Sequence, residues 1–108
     1  MTLPIVVRPE AQADLLESRD WYQRRRPGLG DEFAAVVEEF LRAIAAAPET
    51  HAKAFQEVRR GKLRRFPFVV YYRVLVGRVE ILAVLHGSRG PRTWQSRASC
   101  REPGAAGR

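Results

Sequence analysis

The sequence contains a single cysteine, Cys100, and only two histidines among its 108 residues. One thiol cannot form an internal disulfide, and no set of cysteines and histidines has the spacing of zinc ligands. We therefore expect a chain that folds in a reducing compartment, the cytoplasm, and that needs no metal or other cofactor. The composition does not fit a small secreted domain held together by disulfides.

Long apolar runs are also absent. The most apolar stretches, Phe66–Val76 and Val79–Leu85, are interrupted by Arg73 and Glu80. Both are too short to span a bilayer. The start of the chain, Met1–Arg8, has no basic patch followed by an apolar run, so it does not resemble a signal peptide. The sequence predicts no contact with the hydrocarbon core of a membrane.

Negative charge is scarce compared with positive charge. The chain has 12 Asp and Glu residues against 19 Lys and Arg, which gives a formal net charge of +7. Such a balance favours a polyanionic partner, either nucleic acid, an acidic protein segment or an anionic membrane surface. A basic surface with no partner is the alternative. Clustering favours a binding role, because five cations fall within seven residues: Arg59, Arg60, Lys62, Arg64 and Arg65.

Two helices are predicted in the first half of the chain. Helical spacing extends over Pro9–Arg25, and proline suits the first position of a helix because its missing N–H is not needed there. Arg26-Pro27-Gly28 then breaks the pattern. A second helix with a broad apolar stripe follows, from Leu29 or Asp31 to Ala47. Because the connection is short, we expect an antiparallel helical hairpin.

Strands dominate the rest of the prediction. Leu3–Arg8 is rich in β-branched residues, and three further strands are expected over Val58–Arg64, Phe66–Val76 and Val79–His86. Gly77-Arg78 is a plausible hairpin turn between the last two. The fold class is therefore α+β: an N-terminal strand and an antiparallel two-helix hairpin packed on a small, mainly antiparallel sheet, in the order β-α-α-β-β-β. We expect this domain to occupy residues 1–96 and a flexible tail to occupy residues 97–108.

Alternation along the strands assigns side chains to the two sides of the sheet. One side of the last strand is wholly apolar, and we expect it to lie under the helices: Val79, Ile81, Ala83 and Leu85. We call the opposite side, away from the helices, the far side of the sheet. The same alternation predicts that the far side presents to solvent or to a partner a mixed set of side chains: Arg60, Lys62, Arg64, Tyr71, Arg73 and His86.

Several of these side chains have two interpretations. His86 has a reference pKa near neutrality and could act as a general acid or base, or it could be a surface histidine without a chemical role. Tyr71 could stack on an RNA base or pack against a neighbouring strand. Trp21 and Tyr22 are most simply core or helix–helix contacts. His51, in a loop, has no evident role.

Three segments resemble a known family. Arg8-Pro9-Glu10-Ala11 opens the first helix, and Arg25–Phe33 leads into the second. The most specific segment is Leu63–Val74, which contains Arg-Phe-Pro-Phe and Tyr-Tyr-Arg-Val, followed by Leu85-His86-Gly87-Ser88-Arg89. This pattern resembles the RelE/ParE superfamily, the toxins of type II toxin–antitoxin (plasmid stabilisation) systems. The resemblance covers about residues 3–95 and implies the same strand and helix order, growth inhibition, and a cognate antitoxin that neutralises the toxin.

The superfamily implies two mechanisms. RelE-like members cleave mRNA in the ribosome, which needs cations for the scissile phosphate and proton-transfer groups. In that case His86 and Arg89 would be catalytic, and Arg60 and Lys62 fall where phosphate-binding residues belong. Val69, however, occupies the long-strand position where an arginine is expected. The segment 91–97 also has no tyrosine or histidine to act as the acid.

The incomplete nuclease set favours the second mechanism, in which ParE-like members inhibit DNA gyrase and cleave no RNA. Under this interpretation the target-binding residues are Arg60, Lys62, Arg64 and Arg73. An mRNA endonuclease remains the alternative, and a non-toxic module that binds nucleic acid or protein ranks third, because no basic recognition helix is evident. The antitoxin is expected to be acidic and partly disordered before it binds.

Overall fold

The computed structural model describes residues 2–88, together with Gln95 and Arg97. The predicted α+β class is confirmed. One short strand, β2, was not predicted, because three residues are too few to show alternation. In chain order the elements are β1 (Ile5–Val7), α1 (Pro9–Arg25), α2 (Leu29–Ala46), β2 (Lys53–Phe55), β3 (Val58–Lys62), β4 (Phe68–Leu75) and β5 (Arg78–His86).

The two helices are joined by a tight reversal. Gly28 has φ of +91°, a left-handed conformation that favours glycine, and lies immediately before α2. At the start of α2, Gly30 is buried, and its N–H donates a 2.9 Å hydrogen bond to Oε1 of Gln23. A Cβ at Gly30 would lie 2.5 Å from the carbonyl oxygen of Arg19. The absence of a side chain therefore sets how closely the helices approach each other.

The sheet is mixed and has the strand order β1-β5-β4-β3-β2. β1 runs parallel to β5, and the other neighbouring strands are antiparallel. The β4–β5 hairpin closes with Leu75 paired to Arg78, so the two turn residues are Val76 and Gly77. The turn was predicted one residue later, at Gly77-Arg78. Gly77 has φ of +78°, which places the residue that tolerates a left-handed conformation second in the turn.

The main core lies between the helices and one side of the sheet. Its centre is aromatic, with the Tyr22 ring 5.2 Å from Phe33 and 5.0 Å from Phe66, centroid to centroid. Trp21 was also predicted to be a core or interhelical residue, but it is 46% exposed, and its ring meets that of Tyr22 at an angle of 86° with the centroids 5.1 Å apart. It lies on the outer surface of α1, where the guanidinium of Arg25 covers its ring at 4.2 Å.

A bulge in β5 changes which side chains lie under the helices. Tyr71 pairs with Ala83 and Tyr72 with Ile81, so Leu82 is an extra residue in the ladder. Beyond it the alternation is reversed. Val84 therefore packs in the helix-side core, whereas Ala83 and Leu85 belong to a second cluster on the far side. The prediction that Ala83 and Leu85 lie under the helices was wrong, because strict alternation assumes an uninterrupted ladder.

Among the residues that the structure describes, no helix is long and apolar enough to cross a membrane.

Candidate functional site

Two exposed cations of β3 lie on the far side of the sheet. Arg60 pairs with Tyr71 of β4, and Lys62 pairs with Val69. Both cationic side chains are exposed, as predicted, and the Arg60 guanidinium lies 5.7 Å from the centroid of the Tyr71 ring. Residues paired across strands share a side of the sheet, so the cations cover the apolar surface formed by their partners.

Arg73 occupies the same side but is part of an ion-pair cluster. Its Nε donates a 2.6 Å hydrogen bond to Oε1 of Glu80, its cross-strand partner. Arg8, just after β1, approaches the other carboxylate oxygen of Glu80 with Nη1 at 3.4 Å. Burial alone would lower the pKa of Arg8, but the attraction of Glu80, followed by that of Glu10, outweighs it and raises the pKa. Glu80 is only 1% exposed, so a buried carboxylate joins two arginines.

The other three cations of residues 59–65 make their contacts away from the far side of the sheet. The Arg64 guanidinium donates a 2.7 Å hydrogen bond to Glu39 of α2. The prediction that Arg64 faces the far side was therefore wrong, because it follows the end of β3 and is drawn to an acidic helix. Arg65 pairs with Glu32 of α2. Arg59 donates to the carbonyl oxygen of His51 at 2.7 Å and so anchors the loop before β2.

Tyr71 is not available to stack on a ligand. It is 2% exposed and packs in the far-side cluster with Val69, Leu82 and Leu85. The expectation that it faces solvent or a partner was wrong, and its alternative interpretation as a packing residue agrees with the structure. Val69, where a nuclease of this superfamily would be expected to carry an arginine, is 3% exposed and contributes apolar packing.

His86 lies on the other side of the sheet from the β3 cations. It pairs with Phe68, and the two rings meet edge to face at 5.6 Å. Phe68 packs against the helix-side core. His86 lines a groove of about 490 Å³ whose walls include Trp21 and Glu17 of α1. The prediction that His86 shares the far side with Arg73 was wrong, because the bulge at Leu82 reverses the alternation in between.

The hydrogen bonds of His86 restrict its chemistry. The backbone N–H of Ser88 donates to Nδ1 at 3.0 Å, and the Ser88 hydroxyl lies 2.8 Å from the same atom. Since an amide N–H can only donate, Nδ1 accepts, and the neutral imidazole carries its proton on Nε2. In this state His86 presents a donor to solvent, not the lone pair that a general base requires.

Arg89, the other predicted catalytic residue, lies outside the described residues. Within the described part of the chain, no group of three or more His, Cys, Asp and Glu side chains is arranged to hold a metal ion.

Two acidic residues that the sequence did not single out organise the structure. Glu80 is the first, and its signal was available: it is a lone carboxylate in an apolar strand, opposite Arg73 across a two-residue turn. Asp14 is the second, with Oδ2 accepting 3.0 Å and 2.6 Å hydrogen bonds from the N–H of Val84 and from Arg97. No local pattern predicts those partners, because they are 70 and 83 residues away in the chain.

Comparisons with known proteins show the family of this chain. Residues 5–91 match the model of the ParE toxin of type II toxin–antitoxin systems, parDE. This chain belongs to the ParE toxin family. It is similar to Toxin ParE2 of Mycobacterium tuberculosis, from the strains CDC 1551 / Oshkosh and H37Rv, with 30% identity over 102 residues that cover 94% of this chain and 97% of the relative.

A solved structure supports the fold of this ParE toxin. The chromosomal ParDE TA system from P. aeruginosa aligns with a TM-score of 0.70 and 21% identity, over 79% of this chain and 96% of the other. The predicted toxin identity is thus confirmed, as the ParE-like form that the sequence favoured. Membership in a family of toxin–antitoxin pairs also implies a cognate antitoxin partner.

Proposed function

We propose that this ParE toxin arrests bacterial growth in the cytoplasm by inhibiting DNA gyrase, and that Arg60, Lys62 and Arg73 on the far side of the sheet contact the target. The observation that carries this proposal is the separation of His86 from those cations by the thickness of the sheet. A nuclease needs proton-transfer and phosphate-binding groups around one scissile bond. A protein inhibitor needs only a complementary surface.

The chemistry of the individual residues supports binding in preference to RNA cleavage. The Nδ1 atom of His86 is occupied by Ser88, and Val69 supplies no charge on β4. Tyr71 is buried and offers no ring face to a base. The exposed cations Arg60 and Lys62 suit an acidic protein surface, where charge increases the rate of association and selects the partner.

The same charge supports the proposal that the cognate antitoxin is acidic. With a net charge of +7, the toxin attracts a negatively charged segment over a distance of about one Debye length. We expect such a segment to be partly disordered before it binds and to order on the toxin surface. Co-purification with the product of an adjacent gene tests this point, and absence of a complex at micromolar concentration would contradict it.

The decisive experiment measures DNA supercoiling by purified gyrase and cleavage of ribosome-bound mRNA with the same toxin preparation. We expect inhibition of supercoiling and no RNA cleavage. Reversing both exposed cations, in Arg60→Glu/Lys62→Glu, should weaken inhibition by about tenfold or more, since like charges would then oppose the target. Expression of the wild-type chain alone should arrest growth, and the double variant should arrest it less.

Two matched variants control for charge and for the histidine. Arg42→Glu reverses a charge on α2, where the side chain is 70% exposed and pairs with Glu38, and it should leave inhibition unchanged. His86→Ala should do the same. Cleavage of ribosome-bound mRNA that disappears in His86→Ala or Arg89→Ala would overturn the proposal and make the protein an endoribonuclease.

A further inference from the structure

We propose that Glu80 is a positioning residue. Its buried carboxylate holds the guanidiniums of Arg73 and Arg8 at the far side of the sheet, so that both join Arg60 and Lys62 in one cationic binding surface. This inference rests on the proposed function for the identity of the target. The arrangement of the three side chains is independent of that target and is tested separately below.

The contacts show how Glu80 connects separate parts of the chain. It lies on β5 between β4 and β1, the strands that carry or precede the two arginines. Oε1 accepts the 2.6 Å hydrogen bond from Arg73, and Oε2 faces Arg8 at 3.4 Å. The two arginine side chains are 21% and 13% exposed, against 1% for Glu80. The carboxylate is therefore interior, and the cations lie nearer the surface.

The energetic cost of this arrangement suggests a role beyond folding. Desolvating a carboxylate is expensive, and apolar residues of similar volume often stabilise a protein as well as a buried ion pair does. Glu80 accepts both guanidiniums on one buried carboxylate, whereas the other carboxylate near Arg8, that of Glu10 at 3.6 Å, is 43% exposed, so Glu80 is the buried group that sets the direction of Arg73. The fixed, planar fork of an arginine loses less freedom when it meets a carboxylate on the target, because its direction is already set.

The position of the cluster matches the proposed target surface. Arg73 is paired with Val58 of β3, two residues from Arg60 in that strand. Side chains two residues apart in a strand lie on the same side of the sheet. Arg8 therefore extends the cationic surface of Arg60, Lys62 and Arg73 from β3 across β4 and β5 to the end of β1.

The test asks in which direction Glu80→Gln changes the inhibition of gyrase. Glu80→Gln removes one negative charge, so simple charge accounting predicts tighter binding to an acidic target. Positioning predicts the reverse, because a neutral amide holds guanidiniums weakly. We expect Glu80→Gln to weaken inhibition of gyrase supercoiling by about tenfold. The matched control is Glu57→Gln, which makes the same charge change at a side chain that is 76% exposed and paired with Lys53, and it should not weaken inhibition.

A second variant covers the case in which Glu80→Gln fails to fold, which a thermal melt would reveal. Arg73→Lys preserves the charge but lacks the Nε–H that contacts Glu80. Weaker inhibition by Arg73→Lys at unchanged melting temperature supports positioning. Inhibition equal to that of the wild type by either folded variant overturns it. The combination Glu80→Gln/Arg73→Lys should inhibit no less than the weaker of the two single variants, since both changes act on the contact between Glu80 and Arg73.

A spectroscopic measurement separates failure of this inference from failure of the proposed function. In a ¹H–¹⁵N spectrum of the wild-type toxin, the Nε–H of Arg73 should exchange slowly with solvent, and it should exchange rapidly in Glu80→Gln. Rapid exchange in the wild type would overturn the positioning role even if gyrase were inhibited. If slow exchange were found but no inhibition of gyrase, the proposed function would fail and the positioning of Arg73 would stand.

Discussion

The carboxylate of Asp14, on α1, accepts a 3.0 Å hydrogen bond from the backbone N–H of Val84, on β5. β1 pairs with residues 79–81 of β5, and within the described part of the chain no strand covers the outer edge of β5 at Val84. Arg97 completes the arrangement, with its Nη atoms 2.6 and 3.2 Å from the two Asp14 oxygens and a further bond to the carbonyl oxygen of Leu82. A side chain of α1 thus provides a hydrogen-bond acceptor for a backbone N–H at the edge of β5.

Replacing Asp14 with alanine should destabilise the toxin. The change leaves the N–H of Val84 without its acceptor and the partly buried Arg97 guanidinium without its carboxylate, which should cost about 2–4 kcal/mol in the free energy of unfolding. Urea denaturation monitored by circular dichroism measures the loss. Asp20→Ala, on the same helix but with a side chain that is 75% exposed, is the control and should change stability by less than about 0.5 kcal/mol. Equal effects in the two variants would contradict this role for Asp14.

We expect Arg97 to contribute to the stability of the domain and residues 98–108 to contribute little. Because Arg97 binds Asp14, Arg97→Ala should lower the melting temperature by several degrees, at about 4–8 °C per kcal/mol for a domain of this size. The domain boundary near residue 96 stays a prediction, and the following segment has no periodic apolar pattern. A chain truncated after Arg97 should melt within a few degrees of the full chain, and a larger drop would show that residues 98–108 pack on the domain.

Gly61 on β3 is required by its neighbours. A Cβ at this position would lie 2.5 Å from Cζ of Phe40 and 3.0 Å from Nδ1 of His51, which stacks on that ring. Gly61→Ala should therefore destabilise the toxin by about 1–3 kcal/mol through overpacking. In Gly87→Ala the new Cβ would lie 3.6 Å from the carbonyl oxygen of Pro67, an ordinary van der Waals contact, so this control should be nearly neutral. Partial recovery in Gly61→Ala/Phe40→Leu would identify Phe40 as the source of the strain.

Stability should fall in acid because two carboxylates titrate below their ordinary pKa of 4.5. The pKa of Glu10 is lowered first by a hydrogen bond from its own backbone N–H and then by Arg8. The pKa of Glu32 is lowered by its hydrogen bond from Arg65. A carboxylate with a lowered pKa in the folded state stabilises that state above its unfolded pKa, and the contribution disappears as the pH falls through the folded pKa.

The melting temperature should therefore be level above about pH 5.5 and should decline below pH 4.5. In Glu32→Gln the decline should be shallower and the melting temperature at neutral pH slightly lower. Glu49→Gln is a control at a carboxylate that is exposed in the loop after α2. A decline in Glu32→Gln as steep as that of the wild type would assign the acid sensitivity to other groups.

Much of this architecture was predictable because it depends on local periodicity. Pro9 marks the start of α1, as predicted, and the two-helix hairpin follows from the short Arg26-Pro27-Gly28 connection. The side of the sheet on which Arg60, Lys62 and Arg73 lie was also predictable, because the alternation along β3 and β4 is uninterrupted there. Of the side chains predicted to be presented on the far side, three were misassigned for separate reasons: His86 by a bulge, Arg64 by a nearby acidic helix, and Tyr71 by burial.

Sequence patterns by themselves determined the α+β class, the order of helices and long strands, the basic character and the toxin family, because each depends on local spacing or on short motifs. Tertiary structure alone decided that Leu82 bulges out of the ladder, that His86 lies on the helix side, and that Glu80 holds Arg73 and Arg8 together. These features arise from contacts between residues distant in the chain. Their energies depend on burial and on the direction of hydrogen bonds, neither of which the spacing of residue types encodes.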